Sequence, residues 1–219
     1  EFLCHQASDD TVTMYLWKNR HTVVIGQNQN PFAECDVALL EREGGFLARR
    51  RTGGGAVYHD EGNLNFSFIA PPSLYDQQRQ FIVLQQAVEH YGLRTALSGR
   101  NDVLCYDTEG EARKFSGNAF SKGTRYRLHH GPILIRSNMD DLQRYLLVKP
   151  AKLQKHGVAS VRSRVVNLSE LAPITSDNII PQMIDAFASV YQATPVECSF
   201  AELSQHPDVQ CLSQEYASD

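Results

Sequence analysis

Apolar positions recur along the chain at two spacings. Alternation, which turns every second side chain to one face of a strand, runs through residues 11–17 and predicts a strand, with 22–25 as its neighbour. Residues 46–50 predict a further strand that ends at a glycine run. Residues 56–58 and 63–69 read as paired strands joined by a turn at 59–62. Phe81, Leu84, Val88 and Tyr91 stand at helical spacing, so 77–91 reads as a helix with Gly92 as its stop. Residues 36–43, with Asp36 as N-cap, and residues 140–147 and 179–191 read as further helices. Strands are expected at 93–97, 102–106, 111–120 and 126–135, and a late one at 195–200. Strand runs with a few helices among them define an α+β class with a mixed or antiparallel sheet.

The break after residue 50 concentrates the chemistry. Arg49, Arg50 and Arg51 precede Thr52 and the triplet Gly53, Gly54 and Gly55, and then Ala56, Val57, Tyr58, His59 and Asp60 follow. Glycine lets a backbone turn sharply and approach a ligand. Arginine adds fixed charge and forked donors that suit carboxylate or phosphate. A nucleotide anion fits such a place, but a plain loop with solvated arginines fits too. No Lys-Ser or Lys-Thr follows the glycines, and a strand rather than a helix comes next, so neither the P-loop nor the dinucleotide pattern applies.

The stretch RRRTGGGAVYHDEGNLNFSF resembles the signature of the lipoate-protein ligase family. Further segments match that family in order: Ser98-Gly99-Arg100-Asn101-Asp102, Arg113 to Ala119 (RKFSGNA), His129-His130-Gly131, and Ser160 to Leu168 (SVRSRVVNL). The resemblance covers nearly the whole chain. It implies the fold shared by biotin and lipoate ligases, a central sheet with packed helices. It implies a two-step reaction that consumes ATP with magnesium: lipoate becomes lipoyl-AMP, and the lipoyl group then passes to a lysine of an acceptor. The acceptors implied are lipoyl domains of 2-oxoacid dehydrogenase complexes and the glycine-cleavage H protein. Residues 1–219 would be the catalytic domain, with the native start and a small accessory C-terminal domain missing.

The same resemblance implies roles by position. Lys114 matches the family's essential lysine, bridging carboxylate and α-phosphate; taken alone it would read as a surface lysine. Arg50, Gly55, Ala56, Val57 and Tyr58 match the nucleotide-contacting stretch, and relatives often carry Ser where this chain has Arg51. Asn101 and Asp102 match the magnesium side, although Asp102 also reads as a turn cap. Gly54 and His130 would border lipoate, although His130 reads equally as a packed histidine. His59 and Asp60 read as a charge-paired turn or as site lining. An apolar groove for the acyl chain has Leu16, Trp17, Val57, Phe66 and Phe115 as candidates by type, with core packing the plainer reading for most of them.

Rival readings remain at this level. A lipoyltransferase using pre-formed lipoyl-AMP keeps the same lysine and glycines. An octanoyl or lipoyl acyltransferase would use a cysteine nucleophile, for which Cys105 is the candidate near the motifs. A non-catalytic lipoate-binding protein would share the fold, and a biotin ligase lacks support because its glycine-arginine repeat is absent.

Bulk properties narrow the field. The 219 residues suit one large domain or one with a small appendage. A formal net charge of −4 gives no reason to expect nucleic-acid binding. No apolar run is long enough to span a bilayer, so no membrane partner is expected. The five cysteines are odd in number and widely spaced, which argues against zinc and for free thiols in a reducing cytosol. The chain does not begin with Met, which leaves a mitochondrial location open.

Overall fold

The computed structural model describes residues 1–99, 101–147 and 165–217. The first half of the chain holds α1 (Phe2–His5), β1 (Thr13–Trp17), β2 (Thr22–Ile25), α2 (Pro31–Glu34), α3 (Val37–Arg42), β3 (Phe46–Arg49), β4 (Val57–His59), β5 (Asn63–Ala70) and α4 (Gln77–Glu89). The second half holds β6 (Thr95–Ser98), β7 (Asp102–Tyr106), β8 (Ala112–Gly117), β9 (Ala119–Lys122), β10 (Arg127–Leu134), α5 (Met139–Tyr145), α6 (Ser176–Tyr191), α7 (Phe200–Ser204) and α8 (Pro207–Ala217).

The strands form the central sheet expected and a second, smaller sheet beside it. The larger has seven strands in the order β1-β5-β10-β8-β7-β6, with β9 on β10, and its pairs are antiparallel. The smaller has the order β3-β2-β4, parallel between β2 and β3 and antiparallel between β2 and β4. The α+β class therefore stands.

Strand β5 shows why the large sheet has two different faces. Its sequence alternates Asn63, Leu64, Asn65, Phe66, Ser67 and Phe68. Leu64, Phe66 and Phe68 enter the core with Phe81, Leu84 and Val88 of α4 and Ile179 and Met183 of α6. Each such buried side chain contributes on the order of 1.5–3 kcal/mol relative to exposure. The intervening Asn63, Asn65 and Ser67 point to the opposite face. A second cluster, built on Val23, Ile25, Leu40, Tyr58 and Tyr145, packs the small sheet against α3 and α5.

Three expectations need correction. Strands β4 and β5 do not pair: β4 joins β2, and β5 lies between β1 and β10. The intervening turn is a crossover. Asp60 Oδ1 accepts the Gly62 N–H at 2.8 Å and Oδ2 accepts the Asn138 N–H at 2.7 Å, which redirects the chain to the other sheet. The expected long strand at 111–120 is split at Asn118 into β8 and β9, which pair with β10 separately. No strand forms at 195–200. Ser199 and Glu202 instead make a reciprocal capping box that starts α7. The other expected elements form, most of them a residue or two to either side of the expected bounds. Asp36 does cap α3, accepting the Leu39 N–H at 3.0 Å.

Candidate active site

A cavity of about 430 Å³ lies where the two sheets face each other. Its walls come from β1, β2, β4, β5, β8, β10, the glycine loop and Leu142 and Leu146 around the end of α5. Among the residues assigned from sequence, Arg50, Gly54, Gly55, Ala56, Val57 and Tyr58 line it from the small-sheet side. Asn101, Lys114 and His130 line it from the large sheet. Asp102 reaches it through Lys114.

The three arginines do three separate jobs. Arg49 Nη1 donates to the carbonyls of Gly26, Gln27 and Gln29 at 3.2, 3.1 and 2.7 Å. Arg50 reaches inward: Nη1 donates to the Val24 carbonyl at 3.1 Å, and Nη2 to those of Gly53 and Gly55 at 3.0 and 2.7 Å. It therefore staples the glycine loop to β2. Its buried Nε has no partner among the described residues. Burial lowers the Arg50 pKa from the ordinary arginine value, yet a guanidinium stays charged at neutral pH. Gly54 is required here, with φ +108° and a Cβ position only 2.8 Å from Arg50 Nη2. Arg51 lies outside the cavity, ion-paired to Glu1 at 2.7 Å and bonded to the Tyr216 hydroxyl of α8 at 3.2 Å.

Lys114 and Asp102 sit on adjacent strands, β8 and β7, with Nζ 2.7 Å from Oδ1. The lysine folds back over Gly117, where a Cβ would fall 2.6 Å from Nζ. Any side chain at 117 would displace it. Asn101 uses its amide nitrogen on the Asn118 carbonyl at 2.9 Å. Asn118 answers with its own amide nitrogen on the Asn101 carbonyl at 2.9 Å and offers its oxygen to His129 Nε2 at 2.8 Å. Among the described residues no cluster of three or more His, Cys, Asp or Glu could hold a metal alone. Arg100 and 160–164, part of the matched motifs, lie outside the described residues.

Three histidines surround this centre as neutral rings. Burial, then the Arg50 charge and His130, push His59 down to about 4. Burial and Arg50 push His130 to about 4, and burial with His130 pushes His129 to about 3. His130 Nε2 meets Thr52 Oγ1 at 2.8 Å, tying β10 to the glycine loop. His59 Nδ1 accepts from Asn19 Nδ2 at 3.2 Å, which puts the proton on Nε2.

The groove candidates divide. Trp17 and Val57 line the cavity. Phe66 and Phe115 do not: both are fully buried in the core on the other face of the large sheet. Leu16 faces that side too, packing against the same core and bordering a separate groove near α6. Leu134, Pro132, Leu142 and Leu146 supply the apolar wall instead. Asn65 and Asn118 were missed, although polar residues at alternate positions of an apolar strand were the available signal for Asn65. None of the five cysteines lines the cavity. Cys105 lies in the core, and burial raises its pKa to about 11.

Fold and cavity together set a cationic, glycine-rich loop against an apolar wall between two sheets. A family model described as the lipoyl protein ligase A/B catalytic domain matches residues 1–188, and the chain belongs to that family. It is 41% identical over 192 residues to lipoate-protein ligase A of Bdellovibrio bacteriovorus, covering 87% of this chain and 56% of that protein. It is 39% identical over 225 residues to lipoate-protein ligase A of Psychrobacter cryohalolentis, covering 99% of this chain and 65% of that one. The chain thus spans less than two thirds of the length of these relatives. Among solved structures, the bipartite lipoate protein ligase from Thermoplasma acidophilum, described with its E2 lipoyl domain, superposes with a TM-score of 0.80 at 26% identity. That match covers 97% of this chain and 82% of that one.

Proposed function

We propose that residues 1–219 form the catalytic domain of an ATP-dependent lipoate-protein ligase. The observation that carries this reading is the Lys114–Asp102 ion pair set beside a stapled glycine loop, in a cavity with an apolar wall of Pro132, Leu134, Leu142 and Leu146.

The chemistry follows from charge. A carboxylate oxygen of lipoate attacks the α-phosphorus of ATP, the bond to the bridging oxygen breaks, and pyrophosphate leaves. Two anions must approach, so fixed cations are needed. Lys114 is the compact charge that can follow the developing negative oxygen, and the Arg50 guanidinium adds fixed positive charge from the loop side. Gly54, Gly55, Ala56, Val57 and Tyr58 pass the backbone close to the adenylate, and His130 borders the acyl chain. In the second step an acceptor lysine amine attacks the acyl carbonyl, the bond to AMP breaks, the amine gives up a proton and an amide remains.

Asn101 and Asp102 suit a magnesium ion carried in with the nucleotide. The two offer hard oxygens, and one carboxylate plus phosphate oxygens is an ordinary magnesium set. The ion would neutralise phosphate charge. Lys114 then exchanges its Asp102 partner for substrate oxygens. The acceptor is a lipoyl domain of the kind found in 2-oxoacid dehydrogenase complexes or the glycine-cleavage H protein, a reading supported by the lipoyl domain described with the Thermoplasma ligase.

The test is lipoate-dependent exchange of labelled pyrophosphate into ATP with magnesium. Exchange that vanishes in Lys114→Ala supports the reading. Exchange absent from the wild type, with transfer from supplied lipoyl-AMP retained, would make the chain a transferase. Failure of both would sink the ligase reading.

A further inference from the structure

His129 of β10 is fully buried and does not line the cavity. The rings of Phe66, Phe68, Phe81 and Phe120 surround it, their centres 5.3, 5.8, 4.9 and 4.6 Å from its own. Its two nitrogens meet the ends of two amides. Nδ1 lies 3.0 Å from Gln80 Oε1 on α4, and Nε2 lies 2.8 Å from Asn118 Oδ1 at the break between β8 and β9. Burial among the rings keeps the imidazole neutral. A neutral imidazole has one N–H and one lone pair, so it cannot donate to two oxygens. One of the two amides has to present its nitrogen.

Asn118 is fixed. Its Nδ2 donates to the Asn101 carbonyl at 2.9 Å, and turning that amide over would set two oxygens face to face. Gln80 is free to turn. Its Nε2 is buried without a partner, and so is the hydroxyl of Tyr191 on α6, which lies beside the Gln80 side chain. With oxygen and nitrogen exchanged, Gln80 Nε2 donates to His129 Nδ1 and Oε1 accepts from the Tyr191 hydroxyl. A single rotation meets both unpaired atoms, as buried polar groups require. His129 then carries its hydrogen on Nε2 and donates it to Asn118.

We infer that Tyr191, Gln80 and His129 form a buried hydrogen-bond relay that holds Asn118 and so positions the Lys114–Asp102 pair for adenylation. Asn118 lines the cavity and is clipped to Asn101, the residue before Asp102. Gly117, next to Asn118, stands opposite Asp102 in the β7–β8 register and lies under Lys114 Nζ. Strand β10 presses on the same corner. A Cβ at Gly131 would fall 2.4 Å from the Gly117 carbonyl oxygen and 3.3 Å from Asn118 Oδ1. The relay carries the packing of α4 and α6 to the place where the two charges meet. The inference rests on the ligase reading and adds to it three positioning residues, none of which lines the cavity.

Nitrogen-15 spectra of the His129 ring in the full chain test the relay, and exchange kinetics test the positioning. At neutral pH the ring is expected as the neutral tautomer protonated on Nε2, with Nδ1 at the shift of a hydrogen-bonded lone pair. In Gln80→Met, Nδ1 should move to the shift of a free lone pair. A proton on Nδ1, or on both nitrogens, overturns the inference. In lipoate-dependent pyrophosphate exchange, Gln80→Met and His129→Phe should each lower kcat by roughly tenfold, within the range that a small displacement of a reacting group costs. KM for ATP and for lipoate should change little. Lower urea midpoints with unchanged kcat would make the three residues purely structural and overturn the positioning role, as would a loss confined to KM. Should one variant fail to fold, the other decides. Should both fail, Tyr191→Phe, which removes a single hydroxyl, takes their place with a severalfold loss of kcat expected. A wild type without exchange overturns the ligase reading and the positioning role with it, whereas the ring spectrum decides the relay independently.

Discussion

Asn101 and Asn118 hold each other by three hydrogen bonds. The Asn118 N–H and amide nitrogen both donate to the Asn101 carbonyl, at 2.8 and 2.9 Å, and the Asn101 amide nitrogen donates to the Asn118 carbonyl at 2.9 Å. This clip joins the segment carrying Asp102 to the one carrying Lys114, and His129 anchors it to the core. Asn118→Ala removes its side-chain links to Asn101, Ser116 and His129. The expected cost is about 2 kcal/mol of stability, read as a lower urea midpoint. An unchanged midpoint would show that the clip contributes nothing.

Lys114→Ala should lower pyrophosphate exchange by roughly two to three orders of magnitude, as removal of a charge-stabilising donor does. The far-ultraviolet dichroism should not change, because the side chain is partly exposed, at 33%. Wild-type exchange in the variant would remove Lys114 from the mechanism.

Arg50→Ala should weaken ATP binding more than lipoate binding. The side chain staples the loop that would hold the nucleotide, whereas the apolar wall lies elsewhere. Separate calorimetric titrations with the two ligands give the comparison. Equal losses would count against the assignment.

The buried histidines make folding sensitive to acid. Each has a folded pKa below its unfolded value near 6.5, so below that pH the unfolded chain binds protons that the folded chain refuses. Stability is full above about pH 6.5 and falls as pH drops towards 3–4. Between pH 6.5 and 5 each contributes a loss on the order of 2 kcal/mol. Urea midpoints at pH 7 and pH 5 check this. A flat profile would mean that the rings are protonated in the folded state.

Cys105→Ala should keep pyrophosphate exchange and lipoyl transfer near wild-type levels, since the thiol is buried away from the cavity. Loss of transfer with an intact fold would revive a cysteine acyl-enzyme.

Local pattern showed most elements because each rests on short-range causes: alternation along β5, helical spacing in α4, the Asp36 cap of α3. Lys114 and the glycine loop were legible because motif order carried them. Sheet assignment was not. Whether β4 pairs forward with β5 or sideways with β2 depends on Asp60 reaching Asn138, a contact across 78 positions. The same limit hid which aromatic residues face the cavity. Phe66 and Asn65 are adjacent in sequence, but the pleat sends them to opposite faces, and which face meets the cavity is fixed by the second sheet. Asn118 escaped notice because its importance lies in partners that only folding brings near.

Arg51 gives the glycine loop a mechanical connection that neither of its neighbours has. It grips Glu1 beside α1 and Tyr216 in α8, and those two helices also touch through Phe2 and His206, whose rings are 4.6 Å apart. Tension on α8 would pass through a single guanidinium to the backbone immediately before Thr52 and the glycines. The molecule thus has a lever arm whose short end rests on its glycine loop.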